Sequence, residues 1–320
     1  MKNIAVLGGG YTSERQISLN SANQVFNNID KTKYNPYLID VCEKGLFCIK
    51  ENKQIAVDLN NFSIIDDGKT IKFDYAYIVL HGSPGEDGKI QGYLDMLKIP
   101  YSSCGVFSSA VSFDKIACKK LLADNNIAMA KSVAINDVAA FSVDEILSIT
   151  GLPCFVKPSR AGSSFGITKV YEKEKIIDAI NIAATEDNNI LIEEFINGTE
   201  VSCGILKTKK KTYIFPITEI CSKNDFFDTT AKYKDGLSDE ITPARLSDIE
   251  AKSVQQATFE IYDILNCKGI VRVDYIIKNG IPYFLELNSI PGMSAASIIP
   301  KQIQAMNLNI SDILTEIICN

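Results

Sequence analysis

Apolar positions change rhythm several times along this chain. Residues 3–7 (NIAVL) form an unbroken apolar run, as a parallel strand buried on both faces requires. Gly8, Gly9 and Gly10 follow, and then Ile17, Ala22, Val25, Phe26 and Ile29 recur at helical spacing. Thr12 or Ser13 is placed to cap that helix. Short strands in YNPYLIDV, LFCIK and YAYIVL complete an α/β unit that ends near residue 100. A second region, 101–196, opens with two short helical patterns around Phe113, Asp114 and Lys115. It continues with a strand PCFVKP (153–158), a loop of small residues SRAGSSFG (159–166), a strand ITKVY, a helix over 173–185 and an apolar strand ILIEEFI. A third region, 197–320, holds strands in EVSCGIL and TYIFPITEI, a polar segment 221–244 and a helix from about Leu246 to Leu265. Two alternating strands, VRVDYII (271–277) and FLELN (284–288), and a C-terminal helix complete it.

Composition narrows the possibilities. Of the 320 residues, 46% are hydrophobic and 22% charged, the balance of an ordinary globular protein with room for more than one core. A net charge of −6 offers no basic face, so nucleic acid is not expected as a partner. The nine cysteines are scattered and never form C-x-x-C, a pattern of free thiols in a reducing cytosol rather than of a disulfide or zinc framework. One histidine, His81, excludes a multi-histidine metal site. The start, MKNIAVLGGG, lacks the character of a signal peptide, and no apolar run approaches the roughly 18 residues of a membrane span. A cytoplasmic chain with no membrane contact is expected.

The last strand pair raises a chemical question, because Arg272, Asp274, Glu286 and Asn288 interrupt apolar strands. Glu286 and Asn288 are two apart and share a strand face. With Asp274 they offer oxygen donors of the kind magnesium takes. A two-residue turn at Asn279-Gly280 would put Asp274 opposite Leu285. An odd-length loop or a bulge would put it opposite Glu286 and bring Arg272 opposite Asn288. The alternative is a solvated strand face, which Lys, Thr and Ser would serve better than E-x-N bordered by leucines.

Other segments are open to two readings. SRAGSSFG after Lys157 is either a turn or a cradle of backbone N–H groups for phosphate, and it does not match the G-x-x-x-x-G-K-[ST] pattern. Lys115 at a helix start is either solvated or part of the same site. HGSPGEDGKIQG (81–92) follows a strand end, where ligands bind in open α/β sheets, and His81 there is either scaffold or site. Glu14 either complements a helix dipole or binds substrate. The GGGYTSERQIS segment fails the G-x-G-x-x-G pattern at Ser13.

Taken in order, HGSPGEDGKIQG, PYSSCG, FDK, FVKPSRAGSSFGITKV, LIEEFINGTEVSCGIL, FFDTTAKY, RVDYII and LELNSIPGMSAASIIP closely resemble the D-alanine–D-alanine ligases of the ATP-grasp family, across the whole chain. The resemblance implies a mixed α/β and α+β ATP-grasp fold, in which an N-terminal doubly wound parallel-sheet domain precedes two α+β domains that grip ATP. It implies that Asp274, Glu286 and Asn288 hold two magnesium ions, with manganese as an alternative. Lys115 and Lys157 would contact phosphates, Glu193, Glu194 and Ile196 adenine, and Glu200 the ribose. Glu14, with His81 nearby, would receive the ammonium of a first D-alanine. Ser297 and Lys232 would receive the carboxylate of a second. Arg272 and the N–H of Gly292 would stabilise the oxyanion of an acylphosphate route. Ser163, Tyr233 and Glu14 would link the phosphate loop to segment 221–244 in a closed state. A homodimer is implied as well.

Two residues depart from the family pattern: Ala296 stands where histidine is common, and Tyr11 replaces a smaller residue, which would narrow the first alanine's pocket. Tyr233 favours an amine over D-lactate as nucleophile. Two alternatives remain, an ATP-grasp ligase for other substrates and a non-catalytic nucleotide-binding regulator. The regulator would be expected to lack Arg272 or a metal ligand, and neither is lost.

Overall fold

The computed structural model of the chain describes residues 1–51, 53–136, 140–162, 165–222 and 238–320. The N-terminal sheet has the order β4-β3-β2-β1-β7, built from β1 (Lys2–Gly9), β2 (Tyr34–Cys42), β3 (Gly45–Lys50), β4 (Lys53–Ala56) and β7 (Tyr75–Ile78), with a separate hairpin of β5 (Ser63–Asp66) and β6 (Lys69–Lys72). β1 runs parallel to both β2 and β7, while β3 and β4 extend the sheet antiparallel. The apolar run in β1 has a simple cause: its alternate residues feed two cores. Ala5 and Leu7 pack with Ile39, Phe62 and Leu94, whereas Ile4 and Val6 pack with Val25, Tyr75 and Tyr77.

Helix α1 (Arg15–Asn28) starts one or two residues later than its candidate caps imply, with Glu14 at the cap position and no side-chain cap. Thr12 is instead occupied in the preceding turn, where its hydroxyl approaches the Glu14 N–H and the carbonyl of His81. Helices α2 (Lys89–Met96), α3 (Val106–Phe113) and α4 (Lys115–Leu122) lead out of this sheet. Asp114 caps α4 by accepting from the Ala117 N–H at 3.0 Å.

The central sheet, in the order β10-β9-β11-β8, comprises β8 (Ser132–Ile135), β9 (Cys154–Pro158), β10 (Thr168–Val170) and β11 (Ile190–Glu194), all antiparallel. With α5 (Val143–Thr150) and α6 (Ile176–Ala184) it encloses a core of its own around Ile146, Val156, Ile180 and Ile192.

The third sheet comprises β12 (Thr199–Lys207), β13 (Thr212–Ile214), β14 (Thr218–Ser222), β15 (Ser238–Ile241), β16 (Ile270–Lys278) and β17 (Ile281–Asn288). Its path is β15-β14-β12-β16-β17, with β13 beside β12. Helix α7 (Asp248–Ile264), opened by a capping box between Ser247 and Glu250, covers one face. Helices α8 (Ile298–Ala305) and α9 (Ile310–Cys319) cross back to the N-terminal domain. There Ile313, Leu314, Ile317 and Ile318 join the core that holds Ile4 and Val6. Among the described residues, no helix is long and apolar enough to cross a membrane.

Candidate active site

Strands β16 and β17 resolve the register question with a bulge and not with an odd-length loop. The turn has only two residues, since Lys278 pairs with Ile281, and both Asn279 (φ 53°) and Gly280 (φ 76°) take positive φ, as a type I′ hairpin requires. Parity is corrected further along. The register shifts between Asp274 and Tyr275, so that Tyr275 faces Phe284 and Asp274 faces Glu286, leaving Leu285 as the extra residue of a bulge. The Phe284 N–H donates to the Ala128 carbonyl at 2.8 Å. Arg272 then lies opposite Asn288, and all four polar residues line one cavity of about 500 Å³.

Asp274 is the hub of that wall. It accepts from Arg272 Nε at 2.8 Å and Nη2 at 2.7 Å, from Ser202 Oγ at 2.5 Å and from Asn288 Nδ2 at 3.0 Å. Burial alone would lower the Arg272 pKa, but Asp274 outweighs it and holds the guanidinium charged. Glu286 lies 3.4 Å from Lys115 Nζ, and Lys115 also donates to the Ala161 carbonyl at 2.9 Å. That lysine therefore ties the small-residue loop to the acidic strand.

The donor set fits magnesium. Two carboxylates meet across the strand pair, and Asn288 spends its amide nitrogen on Asp274, which leaves its oxygen as the hard donor. Among the described residues no group of three or more His, Cys, Asp or Glu could hold a metal ion. A site of two carboxylates and one amide suits a cation that takes its remaining oxygens from substrate and water.

The opposite wall comes from the N-terminal domain. His81 is buried; its Nδ1 sits 3.1 Å from the Ile290 carbonyl, which can only accept, so Nδ1 carries the proton. Its Nε2 lies 3.3 Å from Ser21 Oγ, and that hydroxyl in turn accepts from the Met293 N–H at 3.1 Å. Burial lowers the His81 pKa, so the ring is neutral near pH 7. Glu14 faces the loop: a Cβ added to Gly162 would lie 2.4 Å from Glu14 Oε2. A Cβ on Gly292 would likewise meet Ser297 Oγ at 2.7 Å. Ser297 opens α8 without capping it, and its hydroxyl meets Ser294 Oγ at 2.8 Å.

Ten of the residues singled out in the sequence therefore share this cavity: Glu14, His81, Lys115, Glu200, Arg272, Asp274, Glu286, Asn288, Gly292 and Ser297. Lys157, Glu193, Glu194 and Ile196 are not among its lining residues. Lys157, Glu193 and Glu194 belong to the central sheet and Ile196 follows its strand β11; Glu193 is ion-paired to Lys157 and Glu194 accepts from the Lys131 N–H at 2.8 Å. Ser163, Lys232 and Tyr233 lie outside the described residues. Ala296 lines the cavity, whereas Tyr11 is exposed and does not, so its bulk does not narrow this pocket.

Sequence reasoning overlooked Glu86. It lines the cavity and accepts from the Gly82 N–H at 2.8 Å. Burial, reinforced by the charge of Glu14, pushes its carboxyl up to about 8. A carboxyl raised this way stabilises the fold most below its ordinary value near 4.5, and that contribution is lost as pH rises toward 8. Glu86→Gln, which cannot titrate, should therefore flatten the fall in thermal midpoint between pH 5 and 8. Unfolding curves with equal pH slopes for the two proteins would exclude Glu86 as the source.

Two family models match the chain, the "D-ala D-ala ligase N-terminus" over residues 3–104 and the "D-ala D-ala ligase C-terminus" over residues 121–319. The chain belongs to the D-alanine–D-alanine ligase family. It is 50% identical over 322 residues to a D-alanine–D-alanine ligase of Azobacteroides pseudotrichonymphae genomovar. CFP2, covering 99% of each chain. Among solved structures it resembles the VanG D-Ala:D-Ser ligase from Enterococcus faecalis, with a TM-score of 0.88 at 34% identity, covering 99% of this chain and 98% of that one. It also resembles the D-alanine–D-alanine ligase from Bacillus anthracis complexed with ATP, with a TM-score of 0.79 at 30% identity, covering 99% and 96%. The ATP-grasp fold of this ligase family thus accounts for all three sheets.

Proposed function

We propose that this protein joins two D-alanine molecules into D-alanyl-D-alanine, a peptidoglycan precursor, with ATP converted to ADP and phosphate. The observation that carries the reading is the pairing of two unlike walls: an Arg-Asp-Glu-Asn strand face opposite Glu14 and neutral His81, around one cavity. The first wall suits phosphate and developing negative charge; the second suits the ammonium of an amino acid.

In the first step the carboxylate oxygen of one D-alanine bonds to the γ-phosphorus and ADP leaves. In the second, the amine of the other D-alanine attacks the acylphosphate carbonyl, loses a proton, and phosphate leaves. Asp274, Glu286 and Asn288 would hold magnesium, which when bound neutralises phosphate charge. Lys115 and Lys157 position the phosphates, while Glu193, Glu194, Ile196 and Glu200 take the nucleoside. Glu14 binds the first ammonium and orients its carboxylate toward the phosphate. Arg272 and the Gly292 N–H stabilise the tetrahedral oxyanion, and Ser297 receives the second carboxylate. Lys232 is read as a partner of Ser297, and Ser163 with Tyr233 as the closing link that excludes water. We place the protein in the cytoplasm as a homodimer; its nine cysteines are all free thiols, which supports a reducing compartment.

The likeness to a D-Ala:D-Ser ligase raises one further reading, with D-serine as the second substrate. Phosphate release from ATP and magnesium should occur with D-alanine alone and yield the dipeptide by mass. L-alanine should give none. Product only from mixtures of D-alanine with D-serine or D-lactate would overturn the D-alanyl-D-alanine assignment.

A further inference from the structure

Outside the main cavity lies a cluster of three buried charges. Lys119 and Lys157 are each 8% exposed, and Glu193 is 5% exposed. Lys157 on β9 and Glu193 on β11 occupy adjacent antiparallel strands, two positions apart in register, so their side chains share one face. Lys119 arrives from α4, one turn beyond Lys115. Its ammonium bonds Glu193 Oε1, while Lys157 takes Oε2. A second Lys119 hydrogen bond, at 2.9 Å, reaches the Ala130 carbonyl ahead of β8. Both carboxylate oxygens are therefore committed, one to each lysine.

The charges of these three residues do not balance: two cations share one anion. Glu194 follows on the same strand, but alternation points it to the other face, where it accepts from the Lys131 N–H. A buried ion pair is tolerated when its partners are matched; within this hydrogen-bonded trio one positive charge is left over, and Glu194 offsets it only through space. We propose that Lys119 is a positioning residue for nucleotide binding: by holding one oxygen of Glu193 it shares that carboxylate with Lys157, so Lys157 is only partly neutralised and keeps ammonium charge available to an incoming phosphate. This rests on the reading of Lys157 as a phosphate ligand. The electrostatics agree with the geometry. Burial would raise the Glu193 pKa, yet Lys157 and Lys119 together keep it lowered and the carboxylate ionised. Lys119 shifts the other way, lowered by burial despite Glu193, as expected where two ammonium groups share one carboxylate.

The proposal distinguishes a charge relay from mere packing. Without Lys119, Glu193 collapses onto Lys157 as a one-to-one pair. Lys119→Met should raise the KM for ATP on the order of tenfold, within the range of coupling between contacting residues, and leave the KM for D-alanine within about twofold. Lys119→Gln keeps a donor for the Ala130 carbonyl and should show the same rise even if the methionine variant folds poorly. The decisive comparison is a double-mutant cycle with Glu193→Gln. Glu193 is also assigned to the nucleoside, so Glu193→Gln alone is the reference: with the carboxylate gone, adding Lys119→Met should raise the ATP KM far less than the roughly tenfold it adds in the parent. Additive losses, an equal rise in both KM values, or unchanged ATP kinetics in Lys119→Gln would overturn the proposal. Lys157→Met is the control. If it leaves the ATP KM unchanged, the phosphate reading itself fails and takes the proposal with it. If it raises that KM while Lys119 variants do not, only the role of Lys119 is lost.

Discussion

Replacing Arg272 by alanine is expected to lower ligation turnover by about 10²–10³-fold, the usual loss when one oxyanion donor is removed, while ATP still binds. The reason lies in how the side chain is held. Its Nε and Nη2 atoms are engaged by the two oxygens of Asp274, which fixes the guanidinium plane beside the cavity that Arg272 lines. Such a donor needs no reorganisation when the tetrahedral oxyanion forms. The nucleotide contacts are assigned to other residues, so an ATP titration by calorimetry should give a dissociation constant close to that of the parent. Stability will fall too, because Asp274 loses its buried ion-pair partner, a change that typically costs about 3–5 kcal/mol. Turnover must therefore be measured well below the variant's unfolding midpoint. Unchanged turnover would remove Arg272 from the mechanism.

Gly162→Ala should be nearly silent in stability and severe in activity. The added methyl would lie 2.4 Å from Glu14 Oε2, and the atom it meets is the tip of a flexible side chain rather than backbone. The fold can yield at little cost by swinging the carboxylate aside. The reaction cannot, because Glu14 is the group assigned to the first substrate's ammonium, and a displacement of about 1 Å can lose about 10²-fold. We expect a drop of that order in kcat/KM for D-alanine, with the ATP KM and the thermal midpoint close to the parent's. A variant that loses several degrees of midpoint but keeps its D-alanine kinetics would show that Gly162 serves loop packing instead.

The strand pair shows how far the sequence could be read. Parity alone demanded that an even turn be offset elsewhere if Asp274 and Glu286 were to meet. An odd loop and a bulge satisfy that demand equally well. The choice of a bulge at Leu285 involves Ala128, whose carbonyl takes the Phe284 N–H and lies more than a hundred residues upstream. His81 was likewise visible as a residue at a strand end, but its neutrality depends on burial and on Ile290 and Ser21, 209 and 60 positions away. Glu86 lies within HGSPGEDGKIQG, but that spacing carries no sign of its role, because its raised pKa comes from burial and from the nearness of Glu14. Lys119 carried a weak local signal, four residues after Lys115 on the same helix face. Its partner on β11 could not be read from that spacing. Local pattern thus revealed the strands, the small-residue loop and the polar face of the last strand pair, and the family resemblance pointed to the rest of the cavity's residues. The shared ownership of charges appears only once distant segments are packed.

The shared core of β1 and α9 has a consequence for biosynthesis. Ile4, Val6, Tyr75 and Tyr77 present an apolar face whose cover includes Ile313, Leu314, Ile317 and Ile318. At about 5–20 residues per second of synthesis, the roughly 240 residues between Ile78 and Ile318 take on the order of tens of seconds to emerge. Through that interval the first sheet stands with one side incompletely covered, whereas the central sheet has a core drawn entirely from its own segment. The newborn chain should thus complete its middle before its beginning, and its first strand is the part most in need of a chaperone.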